Sequence, residues 1–258
     1  SAKAKLEEVG AHIVYGVVGY KTHAKMCLIV RREDSGLRYY THLGTGNYHP
    51  RTARHYTDYG LFTADQMLCR DVHAVFLQLT SLGRVSRLNN LLQSPFTLFT
   101  EMQERIDREI AHAKAGKPAR LIAKMNSLVE AEMIKKLYEA SQAGVQIQLI
   151  VRAMCSVRPG VPGLSDNITV RSIVGRFLEH SRIVCFGAGN GLPCMIPMEN
   201  RDGSQGVALH RRELVEVDAL GGIADRGEPR LQGGGEGGSG AHCGTAGVHV
   251  NSSRRSTG

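Results

Sequence analysis

The sequence lacks tryptophan and holds only 6 phenylalanines and 8 tyrosines among 258 residues. It also lacks an apolar run long enough to cross a bilayer, which argues against a membrane span. Its first ten residues, SAKAKLEEVG, are charged and contain no apolar stretch, so we expect no secretory signal there. The hydrophobic fraction of 42% is nevertheless enough for a buried core. The length fits one large domain or two small ones.

Closely spaced cysteine pairs are also absent. None of the six cysteines has a partner at CxxC spacing, so a zinc site is not expected. Cys27, Cys155 and Cys185 lie in apolar, strand-like runs, where buried free thiols are ordinary. The cysteines therefore predict a reducing, cytoplasmic location.

Acidic residues are outnumbered, with 24 Asp and Glu against 32 Lys and Arg and a formal net charge of +8. A basic protein suits a polyanionic partner, such as a nucleotide, polyphosphate, nucleic acid or an acidic membrane surface. Charge alone does not choose among these. Nucleic acid is disfavoured because the sequence shows no recognisable nucleic-acid-binding module.

The composition changes near residue 190. Residues 191–258 contain no lysine and no aromatic residue, yet they hold half of the 30 glycines. Such a segment cannot bury enough apolar surface to offset the entropy of ordering, so we expect a mostly disordered tail. A short helix at 208–220 is the one exception that we predict within it.

Residues 1–190 read as alternating strands and helices, which indicates α/β layers. A turn at 33–36 should join two of the strands as a hairpin. The predicted strands are 12–18, 24–32, 37–44, 119–126, 145–155, 167–175 and 182–186. The predicted helices are 65–83, 94–116 and 127–144.

The two halves of this region share a pattern. VGYKTHAKMCLIV (18–30) and VGRFLEHSRIVCF (174–186) both place H-x-[KR] at the start of an apolar strand. Side chains two apart on a strand share a face, so each histidine should lie beside a cation, Lys25 for His23 and Arg182 for His180. The cation can hold a phosphate while the imidazole attacks it or transfers a proton. Two facing copies would supply both a nucleophile and an acid/base, as phosphoryl transfer requires.

A single histidine near a strand is more often structural or exposed than catalytic. We keep that interpretation for the six histidines outside the repeat that precede residue 190. The repeated context favours a functional role for His23 and His180. The six are His12, His42, His49, His55, His73 and His112.

Further polar residues have the types that a phosphate site uses. The glycine-rich turn at 44–47 can aim backbone N–H groups at an anion, although such a turn alone is weak evidence. A dense run of polar residues follows the turn, and it contains Arg51, Arg54, Tyr56, Asp58 and Tyr59.

Arg152 is a further candidate. It lies in the apolar strand predicted at 145–155, where it needs either a buried salt bridge or a ligand phosphate.

Four segments together resemble type-1 polyphosphate kinases. The resemblance extends from about residue 5 to residue 190 and implies the two C-terminal catalytic domains of that family, both of phospholipase-D-like fold with mixed sheets and flanking helices. The segments are HAKMCLIVRRE (23–33), HLGTGNYHPRTARHYTDYGLFTAD (42–65), AEMIKKLYEASQAGV (131–145) and VRAMCSVRPGVPGLSDNITVRSIVGRFLEHSRI (151–183).

The resemblance also implies an activity and its residues. The family transfers the terminal phosphate of ATP reversibly to inorganic polyphosphate, with Mg²⁺ as cofactor. By this match His23 is the histidine that becomes phosphorylated, and His180 is a nucleotide contact and acid/base. Tyr56 and Arg152 match nucleotide-binding residues. The phosphate contacts that we expect to support them are Lys25, Asn47 and Arg182.

The chain departs from the family at both ends. The family's N-terminal and head domains precede this region, and the upstream arginines that contact Mg²⁺ have no counterpart, so no metal ligand is expected here. The family's tryptophan-containing motif and Arg-rich segment are missing after residue 190. We hypothesise that a frameshift replaced the ending. We therefore expect a partial first domain at 1–93, a partial second domain at 94–190 and an atypical tail at 191–258.

Two alternatives to kinase activity remain. The chain could be a catalytically incompetent fragment that only binds nucleotide or polyphosphate. It could also be a phosphodiesterase, but the H-x-K-x₄-D motif of phospholipase D would need Asp where this chain has Val30. The partners implied are ATP or ADP and polyphosphate, with homo-oligomers expected for full-length members of the family.

Overall fold

The structure, a computed structural model, describes residues 2–14, 22–81, 88–187, 194–198, 206–210 and 248–250. Four α-helices are present in this part of the chain: α1 (Ala2–Glu8), α2 (Gln66–Ser81), α3 (Leu98–Lys114) and α4 (Ala131–Gln142). A single 3₁₀ turn spans Thr52–Arg54.

Thirteen strands accompany these helices in the described part of the chain. The first seven are β1 (Lys25–Glu33), β2 (Gly36–Gly44), β3 (Tyr56–Thr57), β4 (Tyr59–Thr63), β5 (Leu91–Ser94), β6 (Arg120–Met125) and β7 (Gln146–Val151). The others are β8 (Ile168–Arg171), β9 (Leu178–Glu179), β10 (Ile183–Phe186), β11 (Cys194–Met198), β12 (Gly206–His210) and β13 (Val248–Val250).

A four-stranded antiparallel sheet holds the first histidine motif, in the order β1-β2-β4-β13. Strands β1 and β2 form the predicted hairpin, with Lys25 opposite Gly44 and Glu33 opposite Gly36. Gly36 has φ of +113°, a conformation that other residues rarely adopt. Helix α2 packs on this sheet around a core of Leu43, Leu61, Leu68, Val72, Val75 and Leu91.

Two aspartate side chains fix α2 in place, one at its start and one within it. Asp65 caps its start, because Asp65 Oδ1 accepts hydrogen bonds from the backbone N–H groups of Met67 and Leu68. The buried carboxylate of Asp71 accepts from the backbone N–H groups of Asn90 and Leu91. These bonds tie the start of β5 to the helix.

The largest sheet of the described residues is mixed and has seven strands, in the order β5-β12-β11-β10-β6-β7-β8. Strands β6, β7 and β8 are parallel neighbours, and the other pairs are antiparallel. Leu121, Ile147 and Leu149 are almost fully buried in its core, beneath α3 and α4. The predicted α/β class with mixed sheets and flanking helices is confirmed.

A short parallel ladder joins the two halves of the chain. Strand β3 pairs with β9, with Tyr56 opposite Leu178 and Thr57 opposite Glu179. The N–H of Leu178 also donates to the carbonyl of His55 at 2.8 Å. The two hydrophobic cores lie on either side of the boundary expected at residue 93, with one ending at Leu91 and the other starting at Leu98. The boundary itself stays a prediction.

Several predicted elements need correction. Helix α3 begins at Leu98 rather than at 94, because residues 91–94 extend as β5. Strand β7 ends at Val151, so Arg152 follows the strand instead of lying within it. Strand β8 ends at Arg171, short of the predicted 175. The predicted strand at 12–18 falls mostly outside the described residues, and 12–14 lie outside regular structure.

The tail also differs from its prediction. Gly206–His210 is a strand, which contradicts the start of the helix predicted at 208–220, and 211–220 lie outside the described residues. Cys194–Met198 and Val248–Val250 are strands as well. The disorder predicted for the rest of 191–258 falls outside the described residues and stays a prediction.

The cysteines give a mixed outcome. Cys27, Cys69 and Cys155 are free thiols, but Cys27 is exposed and Cys155 only half-buried, so the burial expected for these two is wrong. Cys185, expected to be free, is disulfide-bonded, so that expectation is wrong. Because disulfides are rare in reducing compartments, the cysteines no longer support a cytoplasmic location, which stays a prediction. Among the described helices, none combines the length and the apolar character that crossing a bilayer requires.

Candidate functional site

The first histidine motif places an imidazole against an ammonium group at the start of β1. The Nζ atom of Lys25 lies 3.0 Å from Nδ1 and 2.8 Å from Nε2 of His23. Lys25 is buried and His23 is half-buried. The predicted pairing of His23 with Lys25 is confirmed. An unprotonated ring nitrogen is a nucleophile, and the ammonium beside it supplies positive charge for a phosphate.

The second motif repeats this geometry just before β10. His180 is buried, and Nη1 of Arg182 lies 3.5 Å from its Nε2 atom. The same guanidinium donates to the carbonyl oxygen of His180 at 3.0 Å. The predicted pairing of His180 with Arg182 is therefore confirmed, and the repeat seen in the sequence is a repeat of local structure.

A carboxylate from the other half of the chain orients His180. Asp58 Oδ1 lies 2.7 Å from His180 Nδ1. An ionised carboxylate can only accept, so Nδ1 carries the proton and donates it. In the neutral ring Nε2 is then left unprotonated, on the side of Arg182. A histidine held in one tautomer in this way is suited to transfer a proton.

The environment of Asp58 keeps it ionised. Burial opposes ionisation, but hydrogen bonds from His180 and Thr45 outweigh it and lower the pKa of Asp58 below its ordinary value. The hydroxyl of Thr45 donates to Asp58 Oδ1 at 2.8 Å. Thr45 Oγ1 in turn accepts the backbone N–H of Tyr59 at 2.9 Å. The turn at 44–47 thus contributes a side chain that fixes Asp58.

Tyr56 also contacts the second histidine. Its ring centroid lies 5.0 Å from that of His180, with the ring planes tilted by 42°. Tyr56, Asp58 and the exposed Asn47 line a cavity of about 350 Å³, a size within the range of small-molecule sites. Three of the predicted site residues are therefore neighbours: Tyr56, His180 and Arg182. Asn47 is close to this group because it lines the same cavity as Tyr56.

Glycine is required where the cavity wall meets Asp58. A Cβ atom at Gly46 would lie 2.5 Å from Asp58 Oδ2, closer than any real Cβ contact. At Gly60 a Cβ atom would lie 2.6 Å from Nε2 of His42, and His42 also lines the cavity. These glycines let the backbone approach the two side chains closely.

Arg152 lies at the carboxyl end of β7, next to the parallel strand β6. Such ends are where α/β sheets usually bind ligands. Its Nε atom is buried and has no hydrogen-bond partner, and no salt bridge to Arg152 is found within the described part of the chain. Of the two interpretations of Arg152, the buried salt bridge therefore loses support and the ligand anion gains it.

The described residues contain no group of three or more histidine, cysteine, aspartate or glutamate side chains that could hold a metal ion. These residues therefore offer no ligand set that fits a protein-held Mg²⁺.

The role of Asp58 was missed by sequence reasoning. In the sequence, Asp58 was only one member of a dense polar run. The phospholipase-D-like motif instead places the orienting aspartate seven residues after each histidine. Those positions hold Val30 and Gly187, and neither can orient an imidazole. The carboxylate comes instead from a residue 122 positions before His180, through the pairing of β3 with β9. Local sequence carries no signal for that register.

Two family models match most of the chain. The model for polyphosphate kinase C-terminal domain 1 matches residues 1–85, and that for polyphosphate kinase C-terminal domain 2 matches residues 91–196. The polyphosphate kinase of Neisseria meningitidis serogroup C is 63% identical over 182 residues, 70% of this chain and 27% of that protein. The polyphosphate kinase of Burkholderia vietnamiensis is 64% identical over 190 residues, 72% of this chain and 28% of that protein.

A solved structure is similar as well. The crystal structure of polyphosphate kinase from Porphyromonas gingivalis superposes with a TM-score of 0.74 at 35% sequence identity, covering 81% of this chain and 35% of that one. The chain thus spans little more than a quarter of the length of the curated relatives that it matches.

Proposed function

We propose that this chain, which belongs to the polyphosphate kinase family, carries the machinery for reversible transfer of the terminal phosphate of ATP to inorganic polyphosphate through a phosphohistidine. The observation that carries the proposal is the pair of imidazole–cation contacts, His23 with Lys25 and His180 with Arg182. Phosphoryl transfer depends mainly on positioning and positive charge, and both contacts supply these.

In this proposal His23 is the nucleophile. A ring nitrogen of His23 attacks the terminal phosphorus of ATP, the bond to the bridging oxygen breaks, and ADP leaves with that oxygen. The ammonium of Lys25 balances charge on the phosphoryl oxygens. A terminal oxygen of polyphosphate then attacks the phosphohistidine, which restores the free imidazole and lengthens the polymer by one phosphate.

His180 is the proposed acid/base and nucleotide contact. Asp58 fixes its Nδ1–H tautomer, so Nε2 is the atom that faces the reacting phosphate or receives a proton. Tyr56 packs against the same ring, and Arg152 offers a buried donor without a protein partner. Asn47 and Arg182 complete the phosphate contacts in this proposal. Mg²⁺, when bound with ATP, would neutralise phosphate charge.

Two alternatives to kinase activity are binding without turnover and phosphodiesterase activity. The first, binding of nucleotide or polyphosphate without turnover, remains an alternative because two imidazole–cation contacts would hold an anion whether or not a phosphate is transferred. A phosphodiesterase is disfavoured because the position that should carry the orienting aspartate of His23 is Val30, an exposed residue on β1.

An assay of the chain with ATP, Mg²⁺ and short-chain polyphosphate tests the proposal. Lengthening of the polymer that is lost in both His23→Ala and His180→Ala, but kept in His112→Ala, would support it. The exposed His112 on α3 is the matched control. Binding of polyphosphate that weakens with salt and is never followed by turnover would instead support the binding-only alternative.

A further inference from the structure

His180 lies in a link that no strand ladder holds. Residues 180–182 join β9, which ends at Glu179, to β10, which begins at Ile183, and they have no regular structure of their own. The bond to Asp58 fixes the tautomer of the ring but does not by itself fix the backbone on which the ring stands. The orientation of His180 therefore depends on what holds its two chain neighbours.

One lysine contacts both neighbours. The Nζ atom of Lys124 lies 2.7 Å from a carboxylate oxygen of Glu179 and 2.5 Å from the hydroxyl of Ser181. Lys124 belongs to β6, in the middle of the large sheet, and its backbone is in register with Ile183. An ammonium group on a rigid strand thus joins the residue before His180 to the residue after it.

The same carboxylate also reaches the other half of the chain. The hydroxyl of Thr57 donates to Glu179 Oε2 at 3.0 Å, the oxygen that Lys124 contacts. Thr57 is the neighbour of Asp58, as Glu179 is the neighbour of His180. Thr57–Glu179 is the last pair of the ladder, and Asp58–His180 is the contact directly beyond it.

Burial strengthens the contacts of Lys124 with Glu179 and Ser181. The side chains of Lys124 and Glu179 are 15% and 23% exposed, and Ser181 is 1% exposed. A charge-assisted pair shielded from water in this way is stronger than a surface ion pair and resists salt.

We propose that Lys124 is a positioning residue for His180, acting through Glu179 and Ser181 to hold the imidazole in register with Asp58. The role of the positioned histidine rests on the function proposed above. Lys124 itself is not assigned a contact with substrate, since its ammonium is engaged by protein groups on both sides of His180.

Lys124→Met tests this, because it removes the ammonium and keeps the aliphatic stem. Displacing a reacting group by about 1 Å costs on the order of 100-fold in rate, so we expect a turnover loss of about that size, larger than any rise in the Kd for ATP. Two-bond ¹H–¹⁵N spectra of His180 should change from the Nδ1–H pattern to a mixture of tautomers. The control is Lys136→Met on α4, a comparably buried lysine that pairs with Asp107 and Glu139 away from His180.

A second variant keeps the test decisive if Lys124→Met fails to fold around the uncompensated Glu179 carboxylate. The double variant Lys124→Met/Glu179→Gln removes that charge as well. The proposal predicts that turnover stays low and the tautomers stay mixed in this double variant. Recovery of both would show that Lys124 only neutralises Glu179, and would overturn the proposal.

Two further outcomes are distinguishable. A raised Kd for ATP with unchanged turnover in Lys124→Met would make Lys124 a ligand contact instead and overturn its positioning role. If the wild-type chain shows no phosphotransfer at all, the proposed function fails for this chain, yet the His180 spectra still decide whether Lys124 positions the ring.

Discussion

Asp58 and His180 are 122 residues apart in the chain, and Asp58 Oδ1 lies 2.7 Å from His180 Nδ1. The contact joins the two halves of the molecule at the candidate site. Parallel pairing of β3 with β9 brings the two residues together, because Asp58 and His180 directly follow the last paired residues, Thr57 and Glu179.

Replacing Asp58 with Asn should lower turnover strongly while the chain stays folded. An amide can present its NH₂ group to Nδ1, which favours the wrong tautomer of His180. Correctly placed acid/base groups contribute about 10²- to 10⁴-fold, and we expect a loss within that range. Steady-state phosphotransfer measures it. Asp107→Asn, at an exposed position on α3, is the control. Equal turnover in the two variants would exclude the orienting role.

The contribution of Asp58 to stability should depend on pH in one direction. Its pKa is lowered in the folded chain, so ionised Asp58 stabilises the fold fully above the pKa of an unfolded aspartate, about 3.9. That stabilisation is lost as pH falls through the lower folded pKa. Urea unfolding at several pH values should show the gap between wild type and Asp58→Asn shrinking below about pH 4. A gap that widens on acidification would contradict the pKa direction.

Gly46→Ala should disturb the site without a broad loss of stability. The added Cβ would lie 2.5 Å from Asp58 Oδ2, so the carboxylate must shift from the position in which it contacts His180. Turnover and the His180 tautomer should respond together, as in Asp58→Asn. Gly175→Ala is the matched control, because nothing lies within 4 Å of a Cβ built there. If both alanine variants behave like wild type, the close packing of Gly46 on Asp58 is not needed.

Arg152→Ala should weaken nucleotide binding. A charge-assisted hydrogen bond contributes about 1.5–3 kcal/mol, which corresponds to roughly 10- to 100-fold in Kd. Isothermal titration with ATP measures the change. The nearby and exposed Arg158→Ala should bind ATP as wild type does. An unchanged Kd in Arg152→Ala would mean that the unpaired Nε atom serves no ligand.

Local sequence predicted the parts of the fold that local contacts decide. The β1–β2 hairpin follows from two apolar runs around Asp34, Ser35 and Gly36, and α2 follows from its apolar spacing and its Asp65 cap. The start of α3 was wrong because Ser94–Pro95 looked like a helix start, whereas the residues before it form an edge strand whose partner, β12, lies more than a hundred residues later.

The contacts of the candidate site also divide into local ones, which the sequence predicts, and long-range ones, which it does not. The pairs His23–Lys25 and His180–Arg182 are two residues apart, so their contacts could be predicted from local sequence, although His23, His180 and Arg182 lie just outside the strands. The contacts of His180 with Asp58 and of Glu179 with Thr57 depend on the pairing of distant strands, which the order of residues does not reveal. Arg152 was recognised as a cation in an apolar setting, but its lack of a partner emerged only from the fold.

Phosphorylation of His23 is the most direct test of the account. The chain is incubated with ATP labelled at the terminal phosphate, digested under alkaline conditions and analysed by mass spectrometry. One acid-labile phosphate is expected on the peptide that contains His23, present in wild type and His112→Ala and absent in His23→Ala. Label that persists in His23→Ala, or that lies on His180 instead, would contradict the proposed role of His23.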